Sequence, residues 1–248
     1  MNLPVESIVF AALIVTLAYT VFGLTGFGSS ITAMPLLALL FPLRFAVPLM
    51  LVFDLCASLV LGIRNRKAVD RREIVRLVPF MLAGMVLGVT LLIRAPERAL
   101  LFVLGVFVLI YALWSLVIRT DPKPIASGWA APLGTLGGIF TALFGTGGPI
   151  YTIYLARRLF DKAALRATIG SLVFVSGVSR LALFAGTGLY AQANLLPLAL
   201  MLLPCAFAGV AIGSRLHHRL PTQRVIQVVW IILIAGGASL VWRSVTGA

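Results

Sequence analysis

The twelve residues LVPFMLAGMVLG at positions 77–88 recur as LLPCAFAGVAIG at positions 202–213, an offset of 125 residues. Five of the twelve positions are identical, and the same offset carries Pro96 onto Pro221. Shared apolar composition alone does not produce a match of this extent. The chain of 248 residues is therefore predicted to contain two homologous halves. In membrane proteins, internal repeats place the substrate path at the interface between them.

The composition indicates a membrane protein. Hydrophobic residues make up 61% of the chain and charged residues 11%, whereas soluble domains carry about 25% charged residues. A hydrocarbon layer of about 30 Å needs roughly 20 helical residues to cross it. Ten apolar segments are predicted, five in each half, at residues 5–22, 29–41, 45–63, 77–93, 99–118, 129–144, 150–156, 165–185, 195–213 and 225–242.

The net charge of +13 is concentrated in alternate loops. Residues 64–76, 119–127, 157–166 and 214–224 hold six, two, four and three bases, whereas the other connections and the tail hold four. Cytoplasmic loops carry such an excess, so these loops are predicted to be cytoplasmic and both termini external. Basic loops beside anionic lipid explain the charge without nucleic acid as a partner.

Each half has five segments, and an odd number forces the second half to enter the membrane the other way up. The chain is thus predicted to be an all-α polytopic membrane protein with two inverted repeats, residues 1–118 and 128–248, and a cytoplasmic linker at 119–127. About eight segments should span fully. In addition, each half begins with a Gly-tipped hairpin, which either spans the membrane or re-enters it from one side.

The two hairpin tips are FGLTGFGSS at residues 22–30 and FGTGGP at residues 144–149. Glycine tolerates the backbone angles of a sharp break, and the helix that follows leaves amide groups free to bind an anion. Ser29 or Ser30 suits a capping position, and Pro149 suits the first helical position. The alternative is that these glycines only allow close packing. The predicted substrate-binding residues of the tips are Gly26, Gly28, Ser29, Ser30, Gly145, Thr146, Gly147 and Gly148.

Four other glycines stand in Ala-Gly-x-x-x-Gly patterns, at Gly84 and Gly88 and again at Gly209 and Gly213. Small residues at this spacing let membrane helices approach closely. These four are therefore assigned to helix contacts.

Two charged residues, Asp54 and Arg180, lie deep within the third segment of their respective halves. A charge at the centre of a membrane helix costs about 2.5 to 3.5 kcal/mol, so it faces the interior and has a partner. One interpretation is a structural ion pair between the two. The other makes Arg180 a planar donor to an oxyanion, with Asp54 as its counter-charge or as a proton carrier. Hydroxyls one or two turns away could add donors, at Ser58, Ser176 and Ser179.

The remaining chemistry-bearing residues do not form a catalytic or metal site. Cys56 and Cys205 lie inside apolar segments and are interpreted as packing residues, while His217 and His218 fall in a basic loop. No cluster of His, Cys or paired carboxylates stands at one depth. We therefore expect no enzyme activity, cofactor or metal.

Three motifs together resemble a known family. They are Gly23-x-x-Gly-x-Gly28 followed by MPLL at 34–37, VDRRE at 69–73, and the closing LLPxxxAGxxxG block. In this order and with the repeat, they are similar to the sulfite exporter TauE/SafE family of bacterial inner-membrane permeases. The resemblance covers nearly the whole chain. It implies transport of small sulfur-containing anions such as sulfite or organosulfonates.

The sequence thus predicts a secondary transporter of a small anion that works by alternating access of two inverted halves. An anion channel of the same architecture is the second interpretation, and a membrane enzyme or assembly factor the third. The expected location is the bacterial inner membrane. The expected partners are the anion, the bilayer, protons or another coupling ion, and a second copy of the chain in a homodimer.

Overall fold

The computed structural model describes residues 4–25, 28–62, 68–117, 124–192, 194–216 and 222–246. Within these residues the chain is helical, with no strand, and each predicted apolar segment coincides with one helix. The ten helices are α1 (Val5–Thr25), α2 (Ser29–Leu40), α3 (Leu43–Gly62), α4 (Arg71–Arg94), α5 (Glu97–Val117), α6 (Ala130–Phe144), α7 (Gly148–Leu155), α8 (Lys162–Gly186), α9 (Leu195–Leu216) and α10 (Thr222–Thr246).

Five of the described helices are long and apolar enough to cross a membrane, and they contain the stretches Val5–Leu24, Arg71–Arg94, Glu97–Trp114, Ala163–Gly186 and Leu195–Leu216. The prediction of an all-helical protein with several membrane spans is confirmed. Helices α2 and α7 have 12 and 8 residues. At 1.5 Å per residue they are about 18 and 12 Å long, short of the roughly 30 Å hydrocarbon core.

Both the interior and the surface of the molecule are rich in apolar side chains. Leu200 and Ile231 each expose 68% of their surface, and many other large aliphatic and aromatic side chains on the spanning helices are exposed. A soluble protein rarely exposes such continuous apolar area. This exterior suits a lipid environment.

The long helices pack in three main pairs, namely α4 with α6, α1 with α9, and α5 with α10. Helices α3 and α8 also contact each other, and the short helices α2 and α7 fold back against α1 and α6. Two hairpins, α1–α2 and α6–α7, therefore point their tips towards the α3–α8 pair.

The glycines of the two Ala-Gly-x-x-x-Gly patterns lie in these helix pairs, as predicted. A Cβ on Gly88 would stand 2.7 Å from the Ile139 carbonyl oxygen of α6, and one on Gly84 would collide with the Thr135 carbonyl. On α9, a Cβ on Gly209 would stand 2.5 Å from the Thr16 carbonyl of α1. The absence of a side chain lets each pair of backbones touch.

Helix α4 begins six residues earlier than its apolar segment because its first turn is polar and capped. The Asp70 carboxylate accepts hydrogen bonds from the backbone amides of Arg72 and Glu73, at 2.9 and 3.1 Å. Such a cap satisfies amides that have no partner inside the helix. Asp161 caps α8 in the same way, which also starts that helix before its apolar segment.

A buried carboxylate fixes the end of the second hairpin against the start of α4. Glu73 is 4% exposed and accepts hydrogen bonds from Tyr154 Oη at 2.6 Å, Arg76 Nη1 at 2.9 Å and Arg158 Nη2 at 2.9 Å. These bonds to Glu73 raise the pKa of Arg158. Because a buried carboxylate needs such donors, the far end of α7 is held in place.

Candidate functional site

The first tip joins α1 to α2 through Gly28. This residue has a φ of +93°, a left-handed conformation that favours glycine. It directly precedes Ser29, the first residue of α2, and its carbonyl oxygen accepts from Thr32 Oγ1 at 2.9 Å. Gly26, also predicted to bind substrate, lies outside the described residues.

The serines of the first tip bind an internal carboxylate. Ser29 Oγ donates to Asp54 Oδ1 and Ser30 Oγ donates to Asp54 Oδ2, both at 2.8 Å. Tyr19 Oη of α1 donates to Asp54 Oδ1 at 2.6 Å. The prediction that Ser29 or Ser30 caps α2 is therefore wrong, because neither hydroxyl bonds the helix amides and Gly28 holds the cap position. Both hydroxyls donate instead to the carboxylate of Asp54 on α3, because hydrogen bonds to a charged acceptor are stronger than those to a neutral one.

The second tip leaves α6 through Gly145, which has a φ of +73°. A Cβ on Gly145 would stand 2.8 Å from Ser30 Oγ and 3.4 Å from Arg180 Nη1. The two tips and the intramembrane arginine therefore meet at Gly145. Below the tip, Thr141 Oγ1 and Tyr151 Oη hydrogen bond at 2.9 Å and join α6 to α7.

The next two glycines of this tip have different surroundings. A Cβ on Gly147 would collide with Thr141 Oγ1 and stand 2.5 Å from the Gly137 carbonyl, so this position faces α6. No atom lies within 4 Å of a Cβ built on Gly148. Gly148 begins α7, and Pro149 takes the second helical position, one later than predicted. The packing interpretation therefore fits Gly147, whereas Gly148 faces open space.

Arg180 lies inside the protein without a hydrogen-bond partner for two of its nitrogens. It is 3% exposed, and its Nε and Nη2 atoms have no partner among the described residues. Its guanidinium carbon lies 5.6 Å from the centre of the Phe184 ring. Thr146 is 1% exposed and its Oγ1 also lacks a partner. Buried polar atoms are almost always hydrogen-bonded, so these donors fit a ligand with acceptor oxygens.

The structural ion pair considered from the sequence is absent. Asp54 and Arg180 both line one cavity, yet the ion pairs of the described residues join Glu73 to Arg76 and to Arg158. Asp54 receives its hydrogen bonds from hydroxyls instead. The two charges lie on α3 and α8, the contacting helices that were predicted to be equivalent.

A cavity of about 60 Å³ lies between the tips, α3 and α8. At about 15 Å³ for each water molecule, the cavity has room for about four water molecules. Gly147 does not line it, and the side chain of Ser58 lies outside the described residues, as do His217 and His218. Ser179 bonds the Val175 carbonyl. The predicted residues that do line it are Gly28, Ser29, Ser30, Asp54, Gly145, Thr146, Gly148, Ser176 and Arg180.

Sequence reasoning missed the tyrosines and one threonine of this region. Tyr19 contacts Asp54, and Thr141 and Tyr151 line the cavity. A tyrosine in a buried apolar helix usually finds a hydrogen-bond partner for its hydroxyl, which was a usable signal. Thr141 stands four residues before Gly145, so it faces the same side of α6 one turn below the tip.

One more buried hydroxyl lies near the cavity, outside the spanning helices. Tyr190, in the short 3₁₀ turn Leu189–Ala191, has a side-chain oxygen without a partner among the described residues. Burial raises the pKa of Tyr190 to about 12, although the Arg180 charge opposes this. Tyr190 therefore stays neutral at physiological pH. The described residues contain no group of three or more His, Cys, Asp or Glu that could hold a metal.

Comparisons with known proteins agree with this arrangement. The family model described as sulfite exporter TauE/SafE matches residues 11–240. The chain belongs to the sulfite exporter TauE/SafE family. It is also 31% identical over 199 residues to a protein of Comamonas testosteroni described as "Probable inner membrane transporter protein TsaS". That match covers 79% of this chain and 83% of the relative. No solved structure matches the chain significantly.

Family membership confirms the resemblance seen in the sequence. The protein is a multi-pass membrane protein of a transporter family. The family and the relative's description point to transport rather than catalysis.

Proposed function

We propose that this protein is a carrier for a small oxyanion, a sulfur oxyanion or an organosulfonate, which binds between the two hairpin tips. The observation that carries the proposal is Arg180, a buried guanidinium with two unpartnered nitrogens at a cavity. Arginine presents its donors in a planar fork that matches the oxygens of sulfite or a sulfonate. Thr146 Oγ1 and the start of α7 supply further donors at the second tip.

The size of the cavity supports a small substrate. A volume of about 60 Å³ suits a body of about four or five non-hydrogen atoms. Phe22, Leu51, Leu55 and Val173 supply apolar walls that would contact the substituent of an organosulfonate. Apolar walls with a few convergent polar groups are typical of small-molecule sites.

We also propose that the two halves are inverted repeats that move against each other. When each helix of the first half is exchanged for the helix five places later, and each of the second half for the helix five places earlier, the α1–α9 pair becomes α6–α4. The α5–α10 and α3–α8 pairs each become themselves. This exchange of contacts is what a twofold relation between the halves requires, and it supports the assignment of residues 1–118 and 128–248. Rocking of such halves around a central site gives alternating access.

The protein lies in the bacterial inner membrane, where the Comamonas relative is also described. The basic loops lie in the cytoplasm and both termini outside. A reporter fused after Ala248 should behave as external, and one inserted near Val69 as cytoplasmic. Both reporters on one side would contradict the inverted arrangement.

The test of transport uses purified protein in liposomes with radiolabelled sulfite, sulfate and methanesulfonate. A carrier gives saturable uptake and counterflow, in which unlabelled anion inside accelerates entry of label. An ohmic current without counterflow would indicate the channel instead. No flux of any of these anions would contradict the proposed function.

The matched variants are Arg180→Gln and Arg94→Gln. Both remove one guanidinium from a membrane helix, but Arg94 lies exposed at the end of α4. We expect Arg180→Gln to abolish counterflow and Arg94→Gln to preserve it. Equal flux in the two variants would remove Arg180 from the site.

A further inference from the structure

The carboxylate of Asp54 occupies the place that an anion would take at the first tip. It accepts hydrogen bonds from Ser29 Oγ and Ser30 Oγ, the first two residues of α2, and from Tyr19 Oη. A substrate anion in the same cavity therefore meets a negative charge of the protein as well as Arg180.

The charges around this cavity balance only without an anion. Asp54 and Arg180 are the charged residues that line it, so with both ionised their sum is zero. A bound monoanion would leave one uncompensated negative charge away from water, which is costly. A proton on Asp54 removes that charge.

Other titratable groups do not offer this proton site. Those that face Asp54 or the cavity are Tyr19 from α1, Tyr151 from α7 and Arg180 from α8. A tyrosine already carries its proton at neutral pH, and arginine does not deprotonate in proteins. Helices α2 and α6 contain no titratable side chain. Titratable residues on other elements packed on α3 do not line the cavity, namely Tyr190, Cys205, Arg215 and those of α4 and α5.

We propose that Asp54 binds one proton together with each anion, so that the protein is an anion–proton symporter. This inference rests on the proposed function. The proton comes from hydronium on the side to which the cavity is open: an O–H bond of hydronium breaks to leave water, and an O–H bond forms at Oδ2, which holds one hydrogen bond where Oδ1 holds two. No other bond changes.

Protonation also changes what Ser30 can do. Its hydroxyl donates to Oδ2 when Asp54 is ionised. Once Oδ2 carries a proton, Ser30 Oγ is free to donate to an anion beside Gly145, where the two tips meet. Proton and anion therefore favour each other's binding, and the coupling is reciprocal.

The first test measures proton uptake by the wild-type protein in detergent, with methanesulfonate and sulfate as probes. Neither probe takes up a proton near neutral pH, so any proton bound belongs to the protein. Titration calorimetry in buffers of different ionisation enthalpy should show about one proton per anion, and anion affinity should fall as the pH is raised, because proton and anion bind together. Anion binding without proton uptake would overturn this inference alone. Failure of both probes and of sulfite to bind would overturn the proposed function with it.

The second test compares Asp54→Asn with Glu6→Gln in liposomes that contain a pH-sensitive dye. Both variants exchange a carboxylate for an amide, but Glu6 is exposed near the start of α1. Asp54→Asn imitates the protonated state, so it should exchange anions without acidifying the lumen and with pH-independent affinity. Glu6→Gln should couple as the wild type does. Proton uptake by Asp54→Asn equal to that of the control would overturn the proposal, and a misfolded variant leaves the calorimetric test decisive.

Discussion

The tip at Gly28–Ser30 and the tip at Gly145–Pro149 both lead into a short helix, but only the first is filled by a protein side chain. Asp54 accepts from both serines of the first tip. At the second tip, Thr146 Oγ1 and two nitrogens of Arg180 have no partner among the described residues. The backbone breaks are alike, since each places a glycine in the left-handed region.

From this difference we expect two hairpins of similar shape to take separate roles in one cavity. A glycine bends the backbone at both tips, whereas the charged residue on the neighbouring helix, α3 or α8, decides the charge at each tip. An aspartate on α3 satisfies the first tip, and an arginine on α8 leaves the second tip electropositive. The anion is therefore expected at the second tip.

The largest effect is expected from Arg180→Met, which removes the guanidinium and keeps an apolar side chain of similar length. Loss of two charge-assisted hydrogen bonds, each about 1.5 to 3 kcal/mol, should lower anion affinity at least about 100-fold. The thermal stability of the anion-free protein should fall only a little, because two of the removed nitrogens have no hydrogen bond there and the losses are the Phe184 ring contact and the charge opposite Asp54. Thermal shift with and without methanesulfonate measures both. A large loss of stability without ligand would indicate a structural partner for Arg180.

Asp54→Ala should produce the opposite pattern. It leaves the hydroxyls of Ser29 and Ser30 without their acceptor, and it leaves Tyr19 Oη with only the Met50 carbonyl oxygen at 3.5 Å. Each unsatisfied buried group costs about 1 to 3 kcal/mol. The folded protein should lose stability before any ligand is added, as thermal or denaturant unfolding would show. Asp54→Asn retains hydrogen-bonding atoms and serves as the control with a smaller loss. Equal stability of Asp54→Ala and the wild type would show that the first tip does not need its carboxylate.

Alanine at Gly28 and at Gly148 separates backbone strain from cavity space. Gly28 has a φ of +93°, so Gly28→Ala should cost about 1 to 2 kcal/mol of stability. A Cβ on Gly148 meets no atom within 4 Å, so Gly148→Ala should fold normally but reduce the cavity. Uptake of organosulfonates should then fall more than uptake of sulfite. A Gly148→Ala variant that transports both anions equally well would place the substrate elsewhere.

The smallest effect is expected from Thr146→Val, which replaces a hydroxyl with a methyl group of similar size. One neutral hydrogen bond contributes about 1 kcal/mol, so anion affinity should fall about fivefold without loss of stability. Ser176→Ala is the control, because Ser176 also lines the cavity but its hydroxyl bonds the Val173 carbonyl of its own helix. Equal losses of anion affinity in the two variants would mean that the Thr146 hydroxyl does not bind the anion.

The helices could be predicted from the sequence because apolar runs and basic loops alternate along the chain. Their ends were harder to place. Helix α4 starts at Arg71, where a polar first turn depends on the Asp70 cap and on Glu73 meeting Tyr154 and Arg158 of another hairpin. Such contacts join residues far apart in the chain, and an apolar pattern does not contain them.

Several cavity residues could be predicted because they are rare in membrane segments. Asp54 and Arg180 are the charged residues that lie away from the ends of the predicted segments, and a glycine-rich break stands out in each predicted half. The partners of Ser29 and Ser30 could not be predicted, since a serine at a helix start can cap that helix or donate to a neighbour. Which occurs depends on the approach of α3. The packing role of Gly147 likewise depends on how closely α7 lies to α6.

The most direct test of the anion site is a structure of the protein with selenite, the heavier analogue of sulfite, located by the anomalous scattering of selenium. We expect one selenium peak in the cavity, about 4 Å from the guanidinium nitrogens of Arg180 and within reach of Thr146 Oγ1. The same peak should vanish in Arg180→Met. A peak beside Ser29 and out of reach of Arg180, or no peak in the cavity, would contradict the assignment of the second tip as the anion site.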